Sequence, residues 1–250
     1  MTENPHAPSE SPLYGGGAPT PTPKAPGLLD QIVGVFTEPT ALFQKLRTAP
    51  SWVAPTVLVL ICALLVTITW ASKVDVDAMI RPALEANPKV PAEQIDKIIE
   101  MQAKFIPVFS PLMVVFAMAF GTFLPALLFF LLGRSEAEAP TYTQALSATA
   151  VPNLILLPQQ LVIFLMALIR PVGGATPDKL SPTSLGYYLH AENPKVWALL
   201  RHVDPFFIGV YAVTFLALRH LLRLSPGKAW AGTLLCAATT LALRTMGANG

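Results

Sequence analysis

The sequence predicts an all-α membrane protein, a bundle of transmembrane helices with amphipathic interfacial and extramembrane helices attached. Three observations carry this. Residues 107–132 run for 26 positions without a charge, and about 20 apolar residues at a 1.5 Å rise cross the hydrocarbon of a bilayer. The chain of 250 residues is 53% hydrophobic and only 13% charged, against about 25% in an ordinary soluble domain. Further apolar runs follow the same pattern on either side. A wholly apolar core helix of a soluble protein is the competing reading of 107–132. Lys104 and Arg134 flank the run where charged heads snorkel to water, which favours the membrane.

Composition also excludes several functions. The net charge of +2 includes no basic block, so nucleic acid is not an expected partner. Cys62 and Cys236 lie far apart in apolar runs, and His6, His190, His202 and His220 pair with no second ligand type at metal spacing. No cofactor or metal is expected, and no nucleophile–base set or carboxylate pair lies near a span. The chain therefore reads as a non-enzyme. Residues 1–26 hold 7 of the 25 prolines with a GGG run and no apolar mass, which predicts a disordered tail.

Residues 27–50 change character. Leu28, Ile32 and Val35 recur at helical spacing, Glu38-Pro39 interrupts them, and Leu42, Phe43 and Leu46 line one side of a second helix. Proline suits a first helical turn because no N–H is needed there. Neither piece is long enough to span. The segment reads as interfacial and amphipathic, or else as a short helix pair packed on the protein's own loops.

The membrane domain then runs over 51–243. Its first span is 52–71, with Trp52 and Trp70 at its two ends as aromatic belts require. Residues 72–104 form a polar two-helix excursion whose second helix, opened by Pro91, is able to continue into the second span at 107–132. Ala117 and Gly121 have the spacing of a close helix contact, and Pro125 predicts a kink.

The third span, 145–169, is the most informative. Pro152 and Pro158 break its ladder, and Asn153, Gln159 and Gln160 add amides at depth. Polar groups in hydrocarbon must find partners. One reading is a discontinuous helix lining a cavity, as in carriers. The other is hydrogen bonding between helices of a small bundle. Asn153 and Gln160, seven residues apart, fall on one helical face, and Gln159 lies about 100° away.

Residues 170–204 form a second long excursion rich in aromatics. The last two runs, 205–222 and 229–243, are shorter. Asp204 before Pro205 is placed to cap the fourth. Gly232, Cys236 and Thr240 give the fifth a small-residue face able to pack against the bundle. Three full-length runs and two short ones make five. Positive charges divide between both sets of connections and do not orient the chain.

The order of short motifs resembles the Yip1-domain membrane proteins in their prokaryotic form. The resemblance begins at Val35-Phe36-Thr37-Glu38-Pro39 with Phe43, and continues through Pro50-Ser51-Trp52, Gln144-Ala145-Leu146 and Val151-Pro152. It ends with Ser184-Leu185-Gly186, Val203-Asp204-Pro205-Phe206 and Ser225-Pro226-Gly227-Lys228-Ala229. It implies five transmembrane helices in a cell inner membrane, the N-terminus cytosolic and the C-terminus outside, and no catalytic residue. Glu38, Pro39, Phe43, Pro152, Asp204, Pro205 and Phe206 are its candidate structural or interface motif. Eukaryotic relatives work in vesicle traffic and bind small GTPases. The expected function is a membrane scaffold or adaptor with lipids, a protein partner or its own copy as contacts. The alternative is a small carrier, channel or lipid-translocating protein that uses the polar third span.

Overall fold

The computed structural model describes residues 24–189 and 193–247. Of the tail expected at 1–26, residues 1–23 lie outside the described residues. Helices α1 (Leu28–Thr37) and α2 (Pro39–Thr48) meet at Glu38, which ends the first and precedes Pro39 at the start of the second. Their apolar side is turned into the protein. Val35, Leu42, Phe43 and Leu46 are buried, Phe43 and Leu46 completely. The other side of α1 leaves Leu29, Val33 and Phe36 exposed.

Helix α3 (Val53–Ala71) is the first span. Its indole Nε1 at Trp70 donates to the Ala175 carbonyl at 2.7 Å. Helix α4 (Val76–Glu85) is capped by Asp75, which accepts from the Ala78 N–H at 3.1 Å. Helix α5 (Ala92–Gly133) then runs without a break for 42 residues, so the excursion helix and the second span are one rod. Pro107, Pro111 and Pro125 all lie inside it. The expected close contact at Ala117 and Gly121 is not made within the chain. Both are exposed, and a Cβ on Gly121 would meet nothing within 4 Å. The packed side of α5 instead carries Thr122, Ala126, Phe129 and Gly133.

The third span is built in three pieces: α6 (Tyr142–Ala150), a 3₁₀ segment (Val151–Leu156) and α7 (Leu157–Ile169). Pro152 and Pro158 each open the piece that follows a change of geometry, where a missing N–H costs little. Beyond it come a 3₁₀ turn (Pro177–Leu180), the short α8 (Leu185–Tyr188) and α9 (Pro194–His202). Helices α10 (Pro205–His220) and α11 (Pro226–Gly247) complete the chain. A turn with Arg223 at φ 54 joins them, in the left-handed region that ends many helices.

Among the described residues, three helices are long and apolar enough to cross a bilayer: Val53–Ala71, Ala92–Gly133 and Tyr142–Ile169. A fourth is reached when Lys195–His202 and Pro205–His220, bent by 64°, count as one broken span. The expected count of five is thus not met by length and apolarity. Helix α10 alone has 16 residues, and α11 is long enough at 22 but diluted by Ala, Thr and Gly. The α11 face is packed as expected, since a Cβ on Gly232 would meet Leu218 at 3.0 Å.

The main core joins α2, α6, the 3₁₀ segment and α10, with Leu154, Leu218, Leu221 and Leu224 nearly or fully inaccessible. Ion pairs gather at one end of the bundle: Glu138 binds Arg47 and Arg223, and Glu136 binds Lys228 at 2.9 Å. The Lys228 ammonium and the Ser225 N–H hold the Glu136 carboxyl below the usual carboxylate range. At the other end the α3–α4 turn is tied to the loop after α7. Asp75 N–H donates to the Gly173 carbonyl at 2.9 Å, and Lys73 donates to the Ala167 and Leu168 carbonyls at the end of α7.

Candidate functional site

The Asp-Pro pair before α10 is the centre of the polar structure inside the bundle. Proline at the first helical position leaves the Phe206 N–H as an early unpaired donor, and Asp204 Oδ1 accepts it at 2.8 Å. The expected cap is therefore formed. Its carboxylate is fully buried, which requires further donors. Gln159 Nε2 of α7 donates to Oδ2 at 2.8 Å, and Thr183 Oγ1 donates to the same oxygen at 2.5 Å. One side chain thus fastens a span, the α7–α8 connection and the start of α10.

The surrounding motif residues belong to the same node. The Leu185 N–H donates to the Val203 carbonyl at 2.9 Å, and Ser184 Oγ donates to the Ser181 carbonyl at 3.2 Å. Gly186 permits the close approach of α9, since a Cβ there would meet the Arg201 side chain at 2.7 Å and its backbone N at 3.0 Å. The Trp197 indole donates to the Gly186 carbonyl at 3.0 Å, and the Arg201 guanidinium lies 4.4 Å from the Trp197 ring centre.

The three predicted amides are not gathered in one place. Gln159 and Gln160 both line a cavity of about 300 Å³, together with Ser181, Ser184 and Arg201. Gln159 is nearly buried and bound to Asp204. The Gln160 amide makes no hydrogen bond among the described residues. Asn153 instead donates to the Thr149 carbonyl of its own helix at 3.2 Å. It lines a separate cavity of about 180 Å³ against Gly121, Pro125, Tyr211 and Cys236. The expected common face of Asn153 and Gln160 is lost. The 3₁₀ segment winds three residues per turn and advances the face by about 60° over that stretch relative to a regular helix.

The remaining motif residues are structural in placement. Glu38 is exposed at the α1–α2 junction and shares no partner with Asp204. Phe43 and Pro152 are buried, Pro205 is exposed and Phe206 packs partly into the core. Gln144 bridges two elements: its Oε1 accepts the Thr141 N–H at 2.8 Å and its Nε2 donates to the Arg47 carbonyl at 2.8 Å. Sequence reasoning missed Thr183 and the pairing of Gln159 with Asp204. The signal was present in the two nearby motifs at 184–186 and 203–206, whose backbones pair.

Among the described residues, no group of three or more His, Cys, Asp or Glu could hold a metal ion. The carboxylate at 204 has its two oxygens engaged by protein donors and faces no nucleophile or base. It can hold helices in place. A family model described as the Yip1 domain matches residues 33–245. No curated protein and no solved structure matches the chain.

Proposed function

The chain belongs to the Yip1-domain family, and on that premise we propose that it is a non-enzymatic membrane scaffold or adaptor of the prokaryotic type, acting by binding protein partners or shaping the bilayer. The observation that carries the reading is the Asp204 node. A carboxylate inside the bundle is held by Gln159, Thr183 and the Phe206 N–H, so its polarity serves helix assembly. The division of Asn153 and Gln160 between two cavities supports the same reading over a carrier, which needs one polar route through the third span.

Five spans in an inner membrane, with a cytosolic N-terminus, form part of the proposal. Helix α10 starts beside Gln159 and ends near the Glu138 cluster, so it traverses the bundle. Helix α11 begins beside Glu136 and packs against α9 near the opposite end. The exposed Leu29, Val33 and Phe36 of α1 supply an apolar face for the interfacial position of residues 27–50.

The test is reconstitution in liposomes with lipid-scrambling and solute-flux readouts. The scaffold reading expects the wild-type rate to equal that of protein-free vesicles. Flux in folded wild type that is abolished by Asn153→Leu with Gln160→Leu overturns it and establishes the carrier.

A further inference from the structure

The 300 Å³ cavity at Gln160 does not end at α5. Thr67, Val114 and Pro177 line it and also line a second cavity of about 530 Å³ along the outer half of α5. The two form one fissure between α3, α5 and α7. Both volumes lie in the range of small-molecule sites, about 300–1,000 Å³. The two ends differ in chemistry. The larger one is walled by Met101, Phe105, Phe109 and Met113 of α5, each about half exposed. The smaller one carries Gln160, Ser181, Ser184 and Arg201.

We propose that this fissure binds a long-chain fatty acid, with its carboxylate at the Gln160–Arg201 end and its acyl chain along α5. Three observations select that ligand. The Gln160 amide, with no hydrogen-bond partner among the described residues, lines the cavity from within a span, where a polar group requires one. Arg201 places a cation in the same wall, which matches an acidic head. Asp204 does not line the cavity, because Gln159 and Thr183 occupy its Oδ2. The apolar end is a single groove, which suits one chain. The polar end sits beside Ala63, Thr67 and Ile163, inside spans, where a phospholipid head anchored at the bilayer surface does not reach. This inference is independent of the scaffold reading: flux in liposomes would sink that reading and leave this site in place.

Trp70 lines the apolar end and reports on it. The experiment titrates 9,10-dibromostearate into reconstituted full-length protein and reads tryptophan quenching, with Trp70→Phe identifying the component from that indole. The Trp70 component is expected to quench saturably. Gln160→Leu and the methyl ester of the acid should each weaken binding about tenfold, the scale of one hydrogen bond to a charged group. Val114→Phe, at the junction, should abolish binding. Met113→Glu on the exposed groove wall serves if the phenylalanine variant does not fold. Quenching that rises linearly with bromolipid content, or is unchanged in these variants, overturns the site. Saturable quenching by a dibrominated phosphatidylcholine with the same variant pattern overturns the ligand class.

Discussion

Replacing Asp204 tests whether the polar node holds the bundle together. Asp204→Ala removes the α10 cap, which costs about 1 kcal/mol. It also leaves the nearly buried Gln159 amide and the half-buried Thr183 hydroxyl without their acceptor, at about 1–3 kcal/mol for a buried donor and less for a wetter one. The expected loss is about 3–4 kcal/mol. In a chain of this size that corresponds to a fall in Tm of about 6–16 °C. Asp204→Asn keeps an acceptor for the Phe206 N–H and should lose about half as much. The assay is thermal unfolding in detergent, followed by size-exclusion recovery. Gln159→Leu should cost less when Asp204 is already leucine, with a coupling energy of at least about 1 kcal/mol between two residues in direct contact. An unchanged Tm for Asp204→Ala, or additive effects in the Gln159–Asp204 cycle, would refute the brace.

Three further outcomes are expected. Gly174→Ala would set a Cβ 2.7 Å from the Ala78 carbonyl carbon and the Met79 nitrogen, both backbone atoms, and should destabilise by about 1–3 kcal/mol in the same assay. Gly121→Ala, with nothing within 4 Å, should be stabilising by about 0.5–1 kcal/mol. The depressed Glu136 pKa makes its pairing with Lys228 stabilising above the ordinary carboxylate value of 4.5, with loss as pH falls through the lower folded value. The Tm gap between wild type and Lys228→Met should therefore be present at pH 7 and close on acidification below 4.5. In a variant lacking Cys62 and Cys236, impermeant thiol reagents should reach Glu138→Cys and Lys195→Cys from opposite faces of the membrane; labelling of both from one face contradicts five spans.

The spans were legible because hydropathy and length are local properties. Trp52, Trp70 and the uncharged run at 107–132 needed no knowledge of neighbours. The cap at Asp204 was legible for the same reason, since aspartate before proline is a local signal of a helix start. Its partner Gln159 lies 45 residues away in sequence, and no spacing rule connects them. The face shared by Asn153 and Gln160 failed because regular α-helical winding was assumed across Pro152, where the chain tightens to a 3₁₀ turn. The Ala117–Gly121 pattern failed because small residues permit an approach without compelling it. Phe43 and Leu46 had an apolar side of two possible destinations, lipid or protein, and only packing against α10 decides between them.

The length of α5 has a mechanical consequence. Its 42 residues make a rod about 63 Å long, roughly twice the hydrocarbon thickness. Toward its C-terminus the rod is gripped by α6, through Phe129 and the Gly133–Pro140 contact. Toward its N-terminus it carries α4 through the Arg81–Asp96 pair at 2.8 Å. Such a rod is a lever. Spans tilt as bilayers thin, and a change of about 10° displaces its far tip by about 11 Å. Membrane thickness is thereby converted into the position of a charged surface well above the lipid.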